Sequence, residues 1–188
     1  EQLRTLRQAG IRTPLMMIRI PMLTEVDELV KWADVSLQSE ISVLRATNEA
    51  AARAGARHKV ILMVDLGDLR EGFWDREELI SAAMEVEQKL ENLDLLGVGT
   101  NLGCYGSVQA TPEKMEELIA AAEAVEAASA AGWRSSPAGP PPRCTWCWTA
   151  PCPAASTTCG WGSCSCWAGC GAATCRSSTR TCSPSGPR

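Results

Sequence analysis

From Trp133 to Arg188 the chain lacks Leu, Ile, Val, Met, Phe, Tyr, His, Lys, Asp, Glu, Asn and Gln. With no Leu, Ile, Val, Met or Phe this stretch has little from which to build a packed core. Only Trp, Arg, Ser, Pro, Ala, Gly, Cys and Thr remain. Folding physics does not select that set, but the genetic code does, because these residues have codons with G or C at the second base. A GC-rich gene keeps G or C at the third base of most codons. Slipping the frame by one nucleotide moves that base to the second position. Residues 133–188 therefore read as a frame-shifted, disordered tail, and function is to be sought in residues 1–132.

Other absences narrow that search. Residues 1–132 hold one cysteine, Cys104, which excludes a disulfide framework. They carry 13 Lys/Arg against 22 Asp/Glu, a net of −9; the five tail arginines bring the chain to −4. An acidic body without a basic cluster argues against nucleic acid as partner. No apolar run approaches the roughly 18 residues of a membrane span, and no secretory signal is visible. The body therefore reads as cytoplasmic, although the chain starts at Glu1 rather than Met, so a true N-terminus is expected upstream. Nine of the ten cysteines lie in the tail, where Cys144-x-x-Cys147 and Cys164-x-Cys166 imitate zinc or disulfide spacings. Taken literally they describe a Cys-rich metal-binding protein. The frameshift reading sets this aside.

The body alternates strands and helices. Leu15–Ile20 is a short apolar run ended by Pro21, and Thr24 opens a helix to about Trp32. Val35–Leu37 is a brief strand, followed by a helix from Ser39 to Ala54 that stops at Gly55. Lys59–Asp65 is the strongest strand. After a loop over residues 66–74, Asp75 caps a helix with Glu78 at its third position. Leu93–Thr100 is the next strand, and Thr111-Pro112 starts an Ala-rich helix. Repeated βα units suit a doubly wound sheet or a (β/α)8 barrel. The first βα turn, Ile20-Pro-Met-Leu-Thr24, has no GxGxxG, which weakens the dinucleotide-binding alternative. Polar residues at the carboxyl ends of the strands suit a barrel site: Arg19, Gln38 or Ser39, Asp65, and Thr100-Asn101. Residues 1–132 supply about half of a barrel of roughly 250 residues. Such a half barrel is expected to expose strand edges and the apolar inner faces of its strands.

Four stretches carry a specific likeness. His58-Lys-Val-Ile-Leu-Met-Val-Asp-Leu-Gly-Asp-Leu-Arg-Glu-Gly72 resembles a segment of the ornithine/alanine racemase family, pyridoxal-phosphate enzymes of the alanine-racemase barrel fold. Pro14–Pro21, Ala33–Ser39 and Val98–Gly106 agree with that family in order and spacing. Undoing the frameshift on paper gives AVISGG as a fifth strand and turn. The restored ISGGTTTSL resembles the family's phosphate-holding segment.

The resemblance implies amino-acid racemisation with pyridoxal 5'-phosphate, a small amino-acid substrate, and a homodimer in the intact enzyme. It places Arg70 at the arginine that reaches the cofactor's ring oxygen and Asn101 where the family sets a histidine against the pyridine ring. Asp65 is expected to orient Arg70, and Tyr105 to line the mouth. His58 is expected to be exposed and Cys104 to be a small packed residue. The resemblance puts the cofactor lysine upstream of Glu1, the opposing tyrosine in a later domain, and the phosphate segment in the scrambled tail. Lys59 lies at the wrong end of its strand to replace that lysine. The chain as written is thus expected to be inactive. The alternative within the same fold is a barrel that binds pyridoxal phosphate without turnover.

Overall fold

A computed structural model describes residues 1–104 and 106–132, with the strands at 144–149 and 164–168; for residues 130–132 and those two strands it describes backbone alone. The elements run α1 (Gln2–Gln8), β1 (Met16–Met17), a 3-10 turn (Leu23–Glu25), α2 (Val26–Trp32), β2 (Val35–Gln38), α3 (Ile41–Ala54) and β3 (His58–Met63). They continue through α4 (Arg76–Lys89), β4 (Leu93–Leu102), α5 (Pro112–Gly132), β5 (Cys144–Thr149) and β6 (Cys164–Ala168). The strands form one sheet in chain order. Each of β1 to β4 pairs in parallel with its successor, whereas β6 returns antiparallel to β5.

Local chemistry explains the helix ends. Gly55 ends α3 in the left-handed conformation, φ +62°, which a side chain disfavours. Asp75 caps α4, its Oδ1 accepting from the backbone N–H of Glu77 at 2.7 Å and of Glu78 at 3.1 Å. Along α4, Leu79, Ala82, Ala83 and Val86 are buried at i, i+3, i+4 and i+7, one stripe facing the sheet. Leu118, Ala121 and Val125 do the same on α5.

The helix-side core joins these stripes to Val60, Leu62 and Val64 of the β3 segment and to Leu95, Val98 and Leu102 of β4. A bulge opposite Val60 and Ile61 resets the alternation, so that Val60 faces Leu95 and Ile61 faces Gly97. Leu96 is thereby turned to the other face, against Val35, Leu37, Ile61, Met63, Met16 and Ile20. The inner apolar face expected to lie open is instead buried: Ile61 and Met63 are 0% and 2% exposed.

Two further expectations change. The first strand is two residues long, because β1 has a partner on one side only and the chain beyond it turns toward the Arg19–Glu25 ion pair. Of the stretch read as a frame-shifted tail, only the backbones of β5 and β6 are described, and the disorder expected of it lies outside the described residues. His58, expected at the surface, is 1% exposed. Its Nε2 lies 3.0 Å from Ser36 Oγ, which also accepts from Gln38 Nε2 at 3.0 Å. Gln38 Nε2 reaches on to Thr47 Oγ1 of α3 at 3.5 Å. Burial holds the imidazole neutral, lowering its pKa from 6.5 to about 4 against the opposing pull of Asp34.

Candidate functional site

At the carboxyl end of β3 the chain makes a closed loop. Phe73 N–H donates to Met63 O at 2.8 Å and Asp65 N–H donates to Phe73 O at 3.0 Å, so residues 66–72 are held at both ends. Asp65 Oδ1 accepts from the N–H groups of Gly67 at 2.8 Å and Leu69 at 3.1 Å, which folds the chain over itself. Gly72, at φ +124°, makes this closure possible, since a Cβ there would stand 2.5 Å from Asp65 N. Leu69 takes φ +56°, an uncommon conformation for a non-glycine residue, immediately before Arg70.

The next loop is fastened to this one by Asp68, a residue 1% exposed. Its two carboxylate oxygens each accept from Cys104 N–H at 3.2 Å, and Oδ1 accepts from Val108 N–H at 3.2 Å. Its backbone carbonyl accepts from Gly106 N–H at 2.6 Å. A Cβ on Gly106 would lie 2.7 Å from that carbonyl oxygen, so the loops touch backbone to backbone.

This double loop brings together Arg70, Glu71, Asn101 and Cys104. Asn101 Nδ2 donates to Glu71 Oε1 at 2.9 Å. Arg70 Nε stands 4.0 Å from the same oxygen, and Arg70 Nη1 donates to Cys104 Sγ at 2.8 Å. The Glu71 side chain is 8% exposed against 42% for Arg70, so a buried carboxylate backs a guanidinium that opens to solvent. The mouth thus offers a cation, an amide and a thiol on a braced frame.

Of the residues expected at the site, Arg70 and Asn101 are brought together, but through Glu71. Asp65 does not orient Arg70: its carboxylate is turned onto loop backbone, while Glu71 and Cys104 hold the guanidinium. Tyr105 lies outside the described residues. Cys104 is exposed rather than packed. Gln38 and Thr100 are buried, Thr100 Oγ1 donating to Val64 O at 2.7 Å, and Arg19 is taken up by Glu25. Glu71 and Asp68 were not foreseen. Their partners lie 30 to 40 residues away, and nothing in the run Asp65, Asp68 and Glu71 distinguishes the two acids that reach across to the next loop and strand.

Two grooves flank the loop, of about 410 and 560 Å³, sharing Phe73 and Trp74. The first lies against Lys114 and Glu117 of α5, the second against Arg45 and Glu85 of α3 and α4. Neither is lined by Arg70, Glu71 or Asn101. Among the described residues no group of three His, Cys, Asp or Glu is placed to hold a metal. The spacings Cys144-x-x-Cys147 and Cys164-x-Cys166 fall in β5 and β6, whose side chains lie outside the described residues.

With the barrel segment and its rim in place, comparison with known proteins is decisive for the family. The alanine racemase N-terminal domain family matches residues 1–138, and the chain belongs to it. It is 46% identical over 108 residues to an ornithine racemase of Acetoanaerobium sticklandii, covering 57% of this chain and 30% of that protein. A lysine racemase of Thermotoga maritima is 36% identical over 121 residues, covering 64% and 33%. The chain thus spans 30% and 33% of the length of these relatives. In fold it is similar to an alanine racemase of Clostridium difficile in complex with cycloserine, with a TM-score of 0.59, 20% identity and coverage of 79% and 38%. It is also similar to the Synechococcus elongatus protein PipY with pyridoxal phosphate bound, with a TM-score of 0.53, 15% identity and coverage of 69% and 58%. No helix among the described residues is long and apolar enough to cross a membrane.

Proposed function

We propose that residues 1–132 are the cofactor-side barrel segment of a pyridoxal-phosphate-dependent racemase of a small basic amino acid, and that the chain as written is not itself active. The observation that carries the first part is the family match over residues 1–138, joined to ornithine and lysine racemases as relatives at 46% and 36% identity. We take the gene to be frame-shifted near residue 132, the whole enzyme to be a cytoplasmic homodimer, and the tail to carry no function of its own.

The rim chemistry suits the cofactor in part. Arg70 supplies a guanidinium for an anionic ring oxygen, and Asn101 supplies an amide at the strand end beside it. When bound, pyridoxal phosphate provides an electron sink for the pair left as an amino acid loses its α-proton. A lysine at a strand's carboxyl end is what this reading lacks. Lys59 is the second residue of β3 and exposed, Lys31 and Lys89 lie in the last turns of α2 and α4, and Lys114 pairs with Glu117 at 2.8 Å. Asp65 and Asp68 brace the loop that carries Arg70.

The purified chain titrated with pyridoxal phosphate tests this reading. Weak binding is expected, with no lysine adduct trapped by borohydride. A stable adduct on any of the four lysines would sink the inactivity. Restoring the frame by one base near Ala130–Trp133 is expected to return a protein that racemises ornithine or lysine when supplied with the family's upstream strand. A restored protein that binds cofactor without racemising either would favour the non-catalytic barrel.

A further inference from the structure

The buried carboxylate between Arg70 and Asn101 has no part in the reading above, which otherwise concerns the groups that face the ligand. Glu71 reaches both strand ends from one position. It follows Arg70 in the β3 loop, and its Oε1 receives the Asn101 amide from the end of β4 at 2.9 Å. The same oxygen lies 4.0 Å from Arg70 Nε. A primary amide has one acceptor oxygen and two donor protons, and committing Nδ2 to a carboxylate decides which end is turned away. Asn101 therefore presents Oδ1 as the acceptor for whatever occupies the strand end. A buried carboxylate is stabilised by hydrogen bonds and a nearby cation, which couples the guanidinium and the amide in one unit.

We propose that Glu71 is a positioning residue. It fixes the flip of the Asn101 amide and the pose of Arg70, so that the site offers an acceptor to an N–H donor on the ligand beside a guanidinium for an anionic oxygen. This rests on the reading of the rim as a pyridoxal-phosphate site, but the coupling itself belongs to the free protein. The two are therefore separable by experiment.

The test compares the full chain with Glu71→Ala and Glu71→Gln by two readouts. The first is the NMR signature of the Asn101 side-chain amide and the Arg70 Nε–H. The second is the Kd for pyridoxal phosphate followed by its fluorescence. In Glu71→Ala the Asn101 amide protons are expected to exchange about tenfold faster and to move toward free-amide shifts, with the Kd raised about tenfold, the scale of one charge-assisted hydrogen bond. Glu71→Gln keeps a carbonyl acceptor and is expected to restore the Asn101 signature while leaving Arg70 shifted. Thermal midpoints alone would not separate these variants; the amide signature does. If the Asn101 and Arg70 signals are unmoved in both variants, the proposal is overturned, whatever the cofactor does. If they respond as expected but the wild-type chain binds no pyridoxal phosphate, Glu71 keeps its positioning role and the cofactor reading of the rim fails.

Discussion

The two ends of β3 handle polar groups in opposite ways. At its start His58 is buried against Ser36, which is tied through Gln38 to Thr47 of α3, and its charge is suppressed by burial. At its finish Arg70 stands open while the carboxylates of Asp65, Asp68 and Glu71 are turned inward onto backbone and amide donors. The first arrangement keeps a titratable group neutral and serves the packing of sheet on helix. The second sets one carboxylate, Glu71, against the guanidinium and the amide, and two more, Asp65 and Asp68, onto the loop backbone that carries them. In a parallel barrel the amino ends of strands serve stability and the carboxyl ends carry chemistry. Here a single strand of six residues displays both.

The comparison is most severely tested at Gly72. Gly72→Val is expected to cost about 4 kcal/mol, combining left-handed backbone strain with overpacking against Asp65 N. Chemical denaturation reads the loss, and a variant of wild-type stability would mean the loop closes some other way.

His58 gives the next effect. Its folded pKa of about 4 lies below the 6.5 of the free group, so the unfolded chain takes the proton first. Its contribution to stability is therefore full above pH 6.5, declines as the pH falls toward 4, and is constant below that. The loss amounts to about 3 kcal/mol at 1.36 kcal/mol per unit. Urea midpoints across this window, wild type against His58→Gln, are expected to differ in slope. Parallel curves would place the imidazole in contact with solvent.

Asp68→Ala sharpens the contrast at the other end. Leaving the N–H groups of Cys104 and Val108 without their acceptor is expected to cost about 2 kcal/mol, felt locally. Hydrogen exchange would quicken at residues 103–108 while the amides of β2 and the start of β3 stay protected. Uniform loosening would mean that the loops are not a separate unit. The smallest effect belongs to the helix that leaves the loop: Asp75→Ala removes the cap of α4 at about 1 kcal/mol in thermal unfolding.

What could be read in the sequence was whatever depended on near neighbours. Asp75 with Glu78, Thr111 with Pro112, and Gly55 after an amphipathic run each mark a helix boundary within a few residues, and each boundary falls there. The β3 strand was legible because a buried parallel strand is apolar on both faces. Burial of polar groups was not legible. His58 is covered by Ser36, 22 residues earlier, and Glu71 meets Asn101, 30 residues later, so only the tertiary fold separates a sealed or bridging group from a solvated one. The bulge at Leu96 was hidden for the same reason, since it satisfies two packed faces at once.

The clasp formed by Asp68 also limits how this rim is open to change. Its carboxylate is held by one loop and bonded to the backbone of the other, so the two segments are a matched pair, like a key cut with its lock. Exchanging residues 64–75 alone with those of a related barrel lacking this carboxylate would leave the amides of Cys104 and Val108 facing an acceptor that is no longer there. Redesign of this mouth for another amino acid has to transplant both loops together, and lengthening either one calls for a compensating change in its neighbour.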